Sequence, residues 1–310
     1  MEEGYLEHFG NKIWYSVSGN ASRPPLVVVH GGPGFAHNYL KHLRILSSDR
    51  PVILYDQLGC GASPGNPKDG FSVEYFIHEL EALITYLGYQ KCHFLGHSWG
   101  SIVCVEYALK HKIATCSLTL ASPCLSIPLW INDAEKNIKA LSKKNQNAIW
   151  KAHKEKTFNS QDYQAALKEY YKRHVFRLEE RPLFLLESDR LSGAAPYQAL
   201  WGPNEICLTG SLSTYDALSR VKDLEVPTLI TIGKFDEVSE ETGKRYLSFF
   251  ANSELAVFQN SSHQPHLEET EQYLRTVKEY LALVDRDAPI SELRKNGYIP
   301  RPKSFFKKFF

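Results

Sequence analysis

The sequence predicts an α/β protein: a mostly parallel sheet flanked by helices, with a helical insertion late in the chain. Three observations carry this. Short, continuously apolar runs at 25–29 and 52–55 fit strands that are covered on both faces. Between runs of this kind lies a helical pattern over 72–87, with Val73, Phe76, Ile77, Leu80, Leu83, Ile84 and Leu87 at three-to-four spacing. The alternation stops after 117–121, gives way to helices and loops over roughly 125–213, and resumes with the β-rich run 227–233.

In chain order, 12–17 is the first β-rich stretch, followed by 25–29 and 52–55. The helix over 72–87 has a capping hydroxyl at Ser72 and a closing glycine at Gly88. A strand at 92–95 leads into a helical run containing Ile102, Val103, Val105, Glu106 and Tyr107. Within the insertion the best-defined segment is 162–175, with Tyr163, Ala166, Leu167, Tyr170, Tyr171 and His174 along one side. Strands at 227–233 and 254–258 and a helix over about 267–283 complete the pattern. There is no internal repeat and no low-complexity linker.

Composition narrows the class. A 310-residue chain can hold two domains or one α/β domain with an insertion. With 23% charged and 12% aromatic residues the chain is that of a packed protein, not a disordered one. A net charge of +1 supplies no global field for nucleic acid or an anionic membrane. The acidic N-terminus does not read as a secretory signal, and no apolar run is long enough to span a bilayer. The six cysteines include no C-x-x-C pair and no metal-finger spacing, so a reduced, cytoplasmic protein is expected, with neither metal nor organic cofactor.

Gly96-His97-Ser98-Trp99-Gly100 matches G-x-S-x-G between a strand and a helix. That is the setting of a nucleophile elbow, which makes Ser98 the candidate nucleophile of an α/β-hydrolase. A serine hydroxyl needs a base, and the base needs an acid to fix its tautomer. In the order Ser, acid, His, the candidates are Asp236, three residues past the strand ending at Gly233, and His263, just past the strand ending near Phe258. His266 is the rival base, expected to enter the next helix; Glu237 and Asp216 are rival acids. The loop His30-Gly31-Gly32-Pro33-Gly34 follows an apolar strand and lacks the Lys-Ser/Thr of a phosphate loop. It reads as an oxyanion loop whose donors are the N–H groups of Gly32, with Gly31 as the alternative, and Trp99.

With these motifs in place, the sequence resembles the proline iminopeptidase (prolyl aminopeptidase) family of α/β-hydrolases. The residues that carry the resemblance are 30–34, 55–63, 96–100, Gly202-Pro203-Asn204-Glu205, Gly233-Lys234-Phe235-Asp236-Glu237 and Ser262-His263, within a likeness covering about 5–283. The matches at 202–205 and 236–237 look nearest to the branch typified by the archaeal tricorn-interacting aminopeptidase. The resemblance implies an α/β-hydrolase fold, with a mostly parallel eight-stranded sheet and a helical cap. The core would comprise 1–124 and 214–285, the cap 125–213, and a basic, aromatic extension 286–310. It implies a Ser98-Asp236-His263 triad, and that Glu205 and Glu237 hold the substrate's free α-ammonium. Tyr197 is a candidate aromatic wall for a proline ring. Two features depart from the family: Ser101, where many relatives carry glycine, and the extension beyond 285.

The expected activity is removal of an N-terminal residue, preferably proline, from short peptides with a free N-terminus. An amino-acid amidase or esterase with the same ammonium grip is the alternative within hydrolases. A catalytically silent binding module is the alternative of another class. Residues 291–310 carry six basic residues and one acid, leaving the remaining 290 residues at −4. That extension is expected to contact its own core, another subunit or a membrane surface.

Overall fold

The continuously apolar runs form the middle of one eight-stranded sheet in the computed structural model, which describes residues 1–300. The strands are β1 (Glu2–His8), β2 (Asn11–Ser18), β3 (Leu26–Val29), β4 (Val52–Tyr55), β5 (Cys92–His97), β6 (Thr115–Ala121), β7 (Thr228–Gly233) and β8 (Ser253–Phe258). Their spatial order is β1-β2-β4-β3-β5-β6-β7-β8. β1 and β2 pair antiparallel, and β2 runs antiparallel to β4; β4, β3 and β5 through β8 are mutually parallel. Every residue of β3, β4, β5 and β7 is buried, as expected of strands with helices on both faces.

β1 has no counterpart in the sequence reading. Only Leu6 and His8 of its Glu-Glu-Gly-Tyr-Leu-Glu-His run are buried, so its apolar signal is too thin to read. It forms because it lies at the sheet edge, where one ladder to β2 is enough and the other face can stay in water.

Ser72 caps α1 (Val73–Tyr86) by accepting the Tyr75 N–H at 3.2 Å, and Gly88 lies beyond its end at φ +75°. α2 (Trp99–Lys110) follows β5 directly. Between β6 and β7 run α3 (Ile127–Lys139), α4 (Lys143–Glu155), α5 (Gln161–His174), α6 (Leu183–Arg190), α7 (Ala194–Leu200) and the short α8 (Leu218–Val221). α3, α4 and α5 share a small apolar core of their own, including Ile138, Ile149, Tyr163 and Tyr170. α6 packs instead on a 3-10 segment, His37–Ser48. There the Ser188 hydroxyl accepts the Tyr39 N–H at 2.8 Å and donates to the Ala36 carbonyl at 2.9 Å.

After β7 come α9 (Glu240–Leu247), α10 (Pro265–Glu268), α11 (Thr270–Asp285) and α12 (Glu292–Lys295). The helix expected over 267–283 is thus broken at Glu269. Ile290, Leu293 and Ile299 are buried in the apolar cluster that contains the α11 side chains, and Thr276 Oγ1 donates to the Tyr298 carbonyl at 2.6 Å. The rest of the basic extension, 301–310, lies outside the described residues.

The last residue of α11 ties together the starts of the central strands β4, β5 and β6. Asp285 accepts from Arg50 Nη2 at 2.5 Å and from His93 Nε2 at 3.2 Å, and His93 Nδ1 meets Ser117 Oγ at 2.8 Å. Burial works against the Asp285 carboxylate, but His93 and Arg50 outweigh it and hold the group well below the usual carboxylate range. Its stabilisation is therefore complete above about pH 4 and is lost as pH falls toward the folded-state value. Asp285→Asn strands the Arg50 guanidinium, whose side chain is only 3% exposed. The expected cost at pH 7 is about 3 kcal/mol, or about 5 °C in Tm, shrinking in acid as the wild type loses the same interaction. Thermal unfolding of both proteins between pH 3 and 7 checks it.

Candidate active site

β5 ends at His97 and α2 starts at Trp99, so Ser98 must reverse the chain direction almost alone. It does so at φ +53°, ψ −120°, a conformation that L-residues rarely adopt and that aims the side chain out of the turn. The flanking glycines are required by close backbone approach. A Cβ on Gly100 would lie 2.2 Å from the Val29 carbonyl oxygen, and one on Gly96 would lie 2.3 Å from that of Gly100. Ser101 braces the turn: its hydroxyl donates to the Ser98 carbonyl at 2.5 Å and accepts the Cys124 N–H at 3.2 Å. The residue that departs from the family pattern thus ties the elbow to the segment after β6.

Asp236, on the loop after β7, accepts four hydrogen bonds. Oδ1 takes His263 Nδ1–H at 2.8 Å and the Val238 N–H at 3.2 Å; Oδ2 takes the Ser122 hydroxyl at 2.7 Å and the Gly233 N–H at 3.1 Å. This fixes the imidazole with Nε2 free. The loop carrying His263 is pinned in turn, because Glu268 accepts the N–H and hydroxyl of Ser262 and Glu269 accepts the hydroxyl of Ser261 at 2.6 Å. Ser98 and His263 line one cavity of about 490 Å³, a size typical of small-molecule sites. No hydrogen bond joins Ser98 Oγ to His263 among the described residues; contacts of this kind commonly tighten only when substrate is bound.

The two candidate glycine donors of the 30–34 loop differ in their partners. The Gly31 N–H is spent on Tyr39 Oη at 2.8 Å. The N–H groups of Gly32 and Trp99 have no partner among the described residues, and that of Trp99 is an orphan by position, at the first residue of a helix. Tyr39 also donates to His97 Nδ1 at 2.8 Å, while His97 Nε2–H donates to the His263 carbonyl at 2.9 Å. Since a carbonyl can only accept, the directions of all three bonds are determined. The chain Gly31–Tyr39–His97–His263 therefore joins the 30–34 loop, the end of β5 and the loop carrying His263. Tyr39→Phe should lower kcat about tenfold with little change in KM or in circular dichroism, read by steady-state kinetics on a proline arylamide.

Glu205 lines the same cavity beside Tyr197, and Glu237 is buried behind His263, with Oε2 3.9 Å from His263 Nδ1. Burial raises the pKa of both glutamates. For Glu237 the neighbouring Glu205 adds to the rise; for Glu205, His263 and the Tyr197 hydroxyl partly offset it. Burial also disfavours the His263 cation, but Asp236, followed by Glu237 and Glu205, more than compensates and raises that group to about 9. The rivals have other positions. His266 enters α10, is driven well below its ordinary pKa by burial, and stacks on His42. Asp216 accepts from Ser126 and from the Leu218 N–H.

Among the residues of the site that escaped the sequence reading are Tyr39, Ser122 and Gln57. Ser122, which holds Asp236, has no motif of its own. Gln57, inside the matched 55–63 segment, donates its N–H to His30 Nε2 at 2.9 Å and accepts Trp99 Nε1–H at 2.8 Å, bracing the 30–34 loop against the elbow. Among the described residues His30, Asp56 and Cys60 form a buried trio within metal-ligand reach. Their atoms are already engaged: His30 Nε2 with Gln57, Asp56 with the N–H groups of His37 and Ala62, and Cys60 Sγ with the Gln57 carbonyl. The trio is a hydrogen-bonded brace.

Residues 24–270 match the alpha/beta hydrolase fold family. A proline iminopeptidase of Heyndrickxia coagulans is 36% identical over 283 residues, spanning 90% of this chain and 98% of that protein. One from Clostridium botulinum is 34% identical over 289 residues, spanning 91% and 98%. Among solved structures, a proline iminopeptidase of Mycobacterium smegmatis superposes with a TM-score of 0.85 at 30% identity, covering 92% of this chain and 99% of that one. VinJ superposes with a TM-score of 0.87 at 29% identity, covering 91% and 99%. With relatives above 30% identity that are covered almost end to end, this chain belongs to the proline iminopeptidase family of α/β-hydrolases.

Proposed function

We propose that the protein is a serine aminopeptidase that releases N-terminal proline, or another small apolar residue, from short peptides. Ser98 is the nucleophile, His263 the base and Asp236 its orienting acid. His263 Nε2 takes the Ser98 proton as Oγ attacks the first peptide carbonyl, and the N–H groups of Gly32 and Trp99 hold the oxyanion. His263 then protonates the leaving amine, and water releases the acyl group by the same route. Residues 125–213 act as a cap on a core made of 1–124 and 214–285, closing the site to long or folded chains.

The observation that carries the reading is the placement of Glu205, from the segment after α7, in the wall of the cavity that Ser98 and His263 line, with Glu237 buried 3.9 Å from His263 Nδ1. An exopeptidase must measure one residue from the chain end, and two carboxylates beside the acyl site do so by holding the ammonium. Tyr197 flanks Glu205 and serves as the wall for the proline ring. The same two acids support placement in the branch of the archaeal tricorn-interacting aminopeptidase. No described helix is long and apolar enough to cross a membrane, and none of the six cysteines is disulfide-bonded, which suits a reducing cytoplasm. Turnover of a proline arylamide against its N-acetyl analogue tests the reading. We expect the free amine to be preferred by at least about 10³-fold, and equal cleavage of the blocked substrate overturns the role of the glutamates.

A further inference from the structure

Three carboxylates gather around one imidazole: Glu205 and His263 line the cavity, and Asp236 and Glu237 lie buried against His263. His263 Nδ1 lies 2.8 Å from Asp236 and 3.9 Å from Glu237, and Glu205 is close enough to influence both. Glu237 is 1% exposed, and neither of its side-chain oxygens has a hydrogen-bond partner among the described residues. Among those residues no lysine or arginine pairs with Asp236, Glu237 or Glu205.

The groups packed on His263 supply no cation, and Arg181, which lines the same cavity, is paired with Asp189 at 2.6 Å. From β5, His97 is pushed by burial to about 3; from α10, His266 is lowered further still, so both are neutral. α5 contributes the His174 carbonyl, which accepts the His263 N–H at 3.1 Å; burial lowers the pKa of the His174 ring too. α3 contributes the Trp130 ring, edge-on at 5.6 Å. Around the glutamates stand the phenols of Tyr170, Tyr171 and Tyr197, whose ionisation burial opposes. Three buried negative charges without a counter-cation take up protons instead of persisting. In the free protein the imidazole is the group best placed to hold one, and an imidazolium cannot act as a base.

We propose that the ammonium of the substrate replaces a proton held by the Glu205–Glu237–His263 cluster, so that docking a free N-terminus itself converts His263 from imidazolium to neutral base. The displaced proton leaves to solvent, and no covalent bond changes in this step. The inference rests on the reading that Glu205 and Glu237 hold the ammonium. An N-blocked substrate then fails twice: it loses the grip, and it meets the acid form of His263. Discrimination between free and blocked substrates therefore appears in kcat as well as in KM.

The test uses prolinol, which carries the secondary ammonium but no scissile bond. Mixing the wild-type protein with saturating prolinol in weakly buffered solution at pH 8 should release about one proton per site, read by a pH indicator dye. Glu237→Gln should release clearly fewer. For a proline arylamide, the acid limb of kcat/KM, which reports the free protein, should lie at least about one pH unit above that of kcat, which reports the complex. Prolinol inhibition without proton release, coincident acid limbs, or full release from Glu237→Gln overturns the proposal and leaves the glutamate grip standing. If prolinol does not inhibit and the N-acetyl arylamide is cleaved as fast as the free one, the grip itself is wrong. The wild-type proton count needs no variant, so a misfolded mutant does not spoil the test.

Discussion

Ser98→Ala should leave a folded protein that binds prolinol but cleaves a proline arylamide about 10⁴- to 10⁶-fold more slowly and no longer reacts with a fluorophosphonate probe. The size follows from the cooperation of nucleophile, base and orienting acid: without the nucleophile the other two have no proton to move. What remains is binding and whatever the Gly32 and Trp99 N–H groups do for direct attack by water. Folding is expected to survive because the elbow is held by backbone: Ser98 N–H to the Ala121 carbonyl at 2.8 Å, and Ser101 to the Ser98 carbonyl. Alanine has the same Cβ as serine, so the positive φ of residue 98 costs both equally. Persistent arylamide turnover in purified Ser98→Ala, with prolinol still bound, would move the nucleophile elsewhere.

The double substitution Glu205→Gln, Glu237→Gln should lower kcat/KM for the proline arylamide about 10³-fold and yet raise the melting temperature near neutral pH. Each close carboxylate–ammonium contact is worth about 4 kcal/mol at an effective dielectric of 20, before desolvation takes back part of it. Retaining about half of that for each leaves roughly a thousandfold for the pair. The stability change has the opposite sign. Burial, and for Glu237 the repulsion from Glu205, raises both folded-state pKa values above the ordinary glutamate range. For a raised carboxyl pKa, stability is complete below the unfolded-state value of about 4.3 and declines as pH rises through the folded-state value. Near pH 7 the wild type has therefore already lost part of its stability, and the neutral amides remove that loss. Thermal unfolding between pH 4 and 8 should show the wild type overtaken by the double variant as pH rises. A variant that is both inactive and less stable at pH 7 would mean the acids serve the fold.

How much was legible varied with how local the cause is. The strands at 25–29 and 52–55 could be read because burial on both faces demands unbroken apolar residues. Ser72 and Gly88 could be read because capping is a local hydrogen-bonding requirement. β1 could not, since an edge strand with one wet face needs little apolar sequence. Nor could the break at Glu269, where a carboxylate leaves the helical pattern to hold Ser261 and the Asn260 N–H.

The sequence by itself determined the mostly parallel α/β core and the interruption after β6. It also carried the candidate residues Ser98, Asp236 and His263, because each sits at a strand end that local pattern can locate. Only the tertiary structure shows that the Gly31 N–H is spent on a tyrosine that a 3-10 segment and α6 hold in place, while the Gly32 N–H has no partner among the described residues. The same holds for which histidine reaches Asp236, His263 and not His266, and for the placement of Glu205, from the segment after α7, in the cavity that His263 lines. The physical reason is common to all three. Hydrogen-bond donors and buried charges are assigned by how distant segments converge, and a linear pattern carries periodicity and local strain but not convergence.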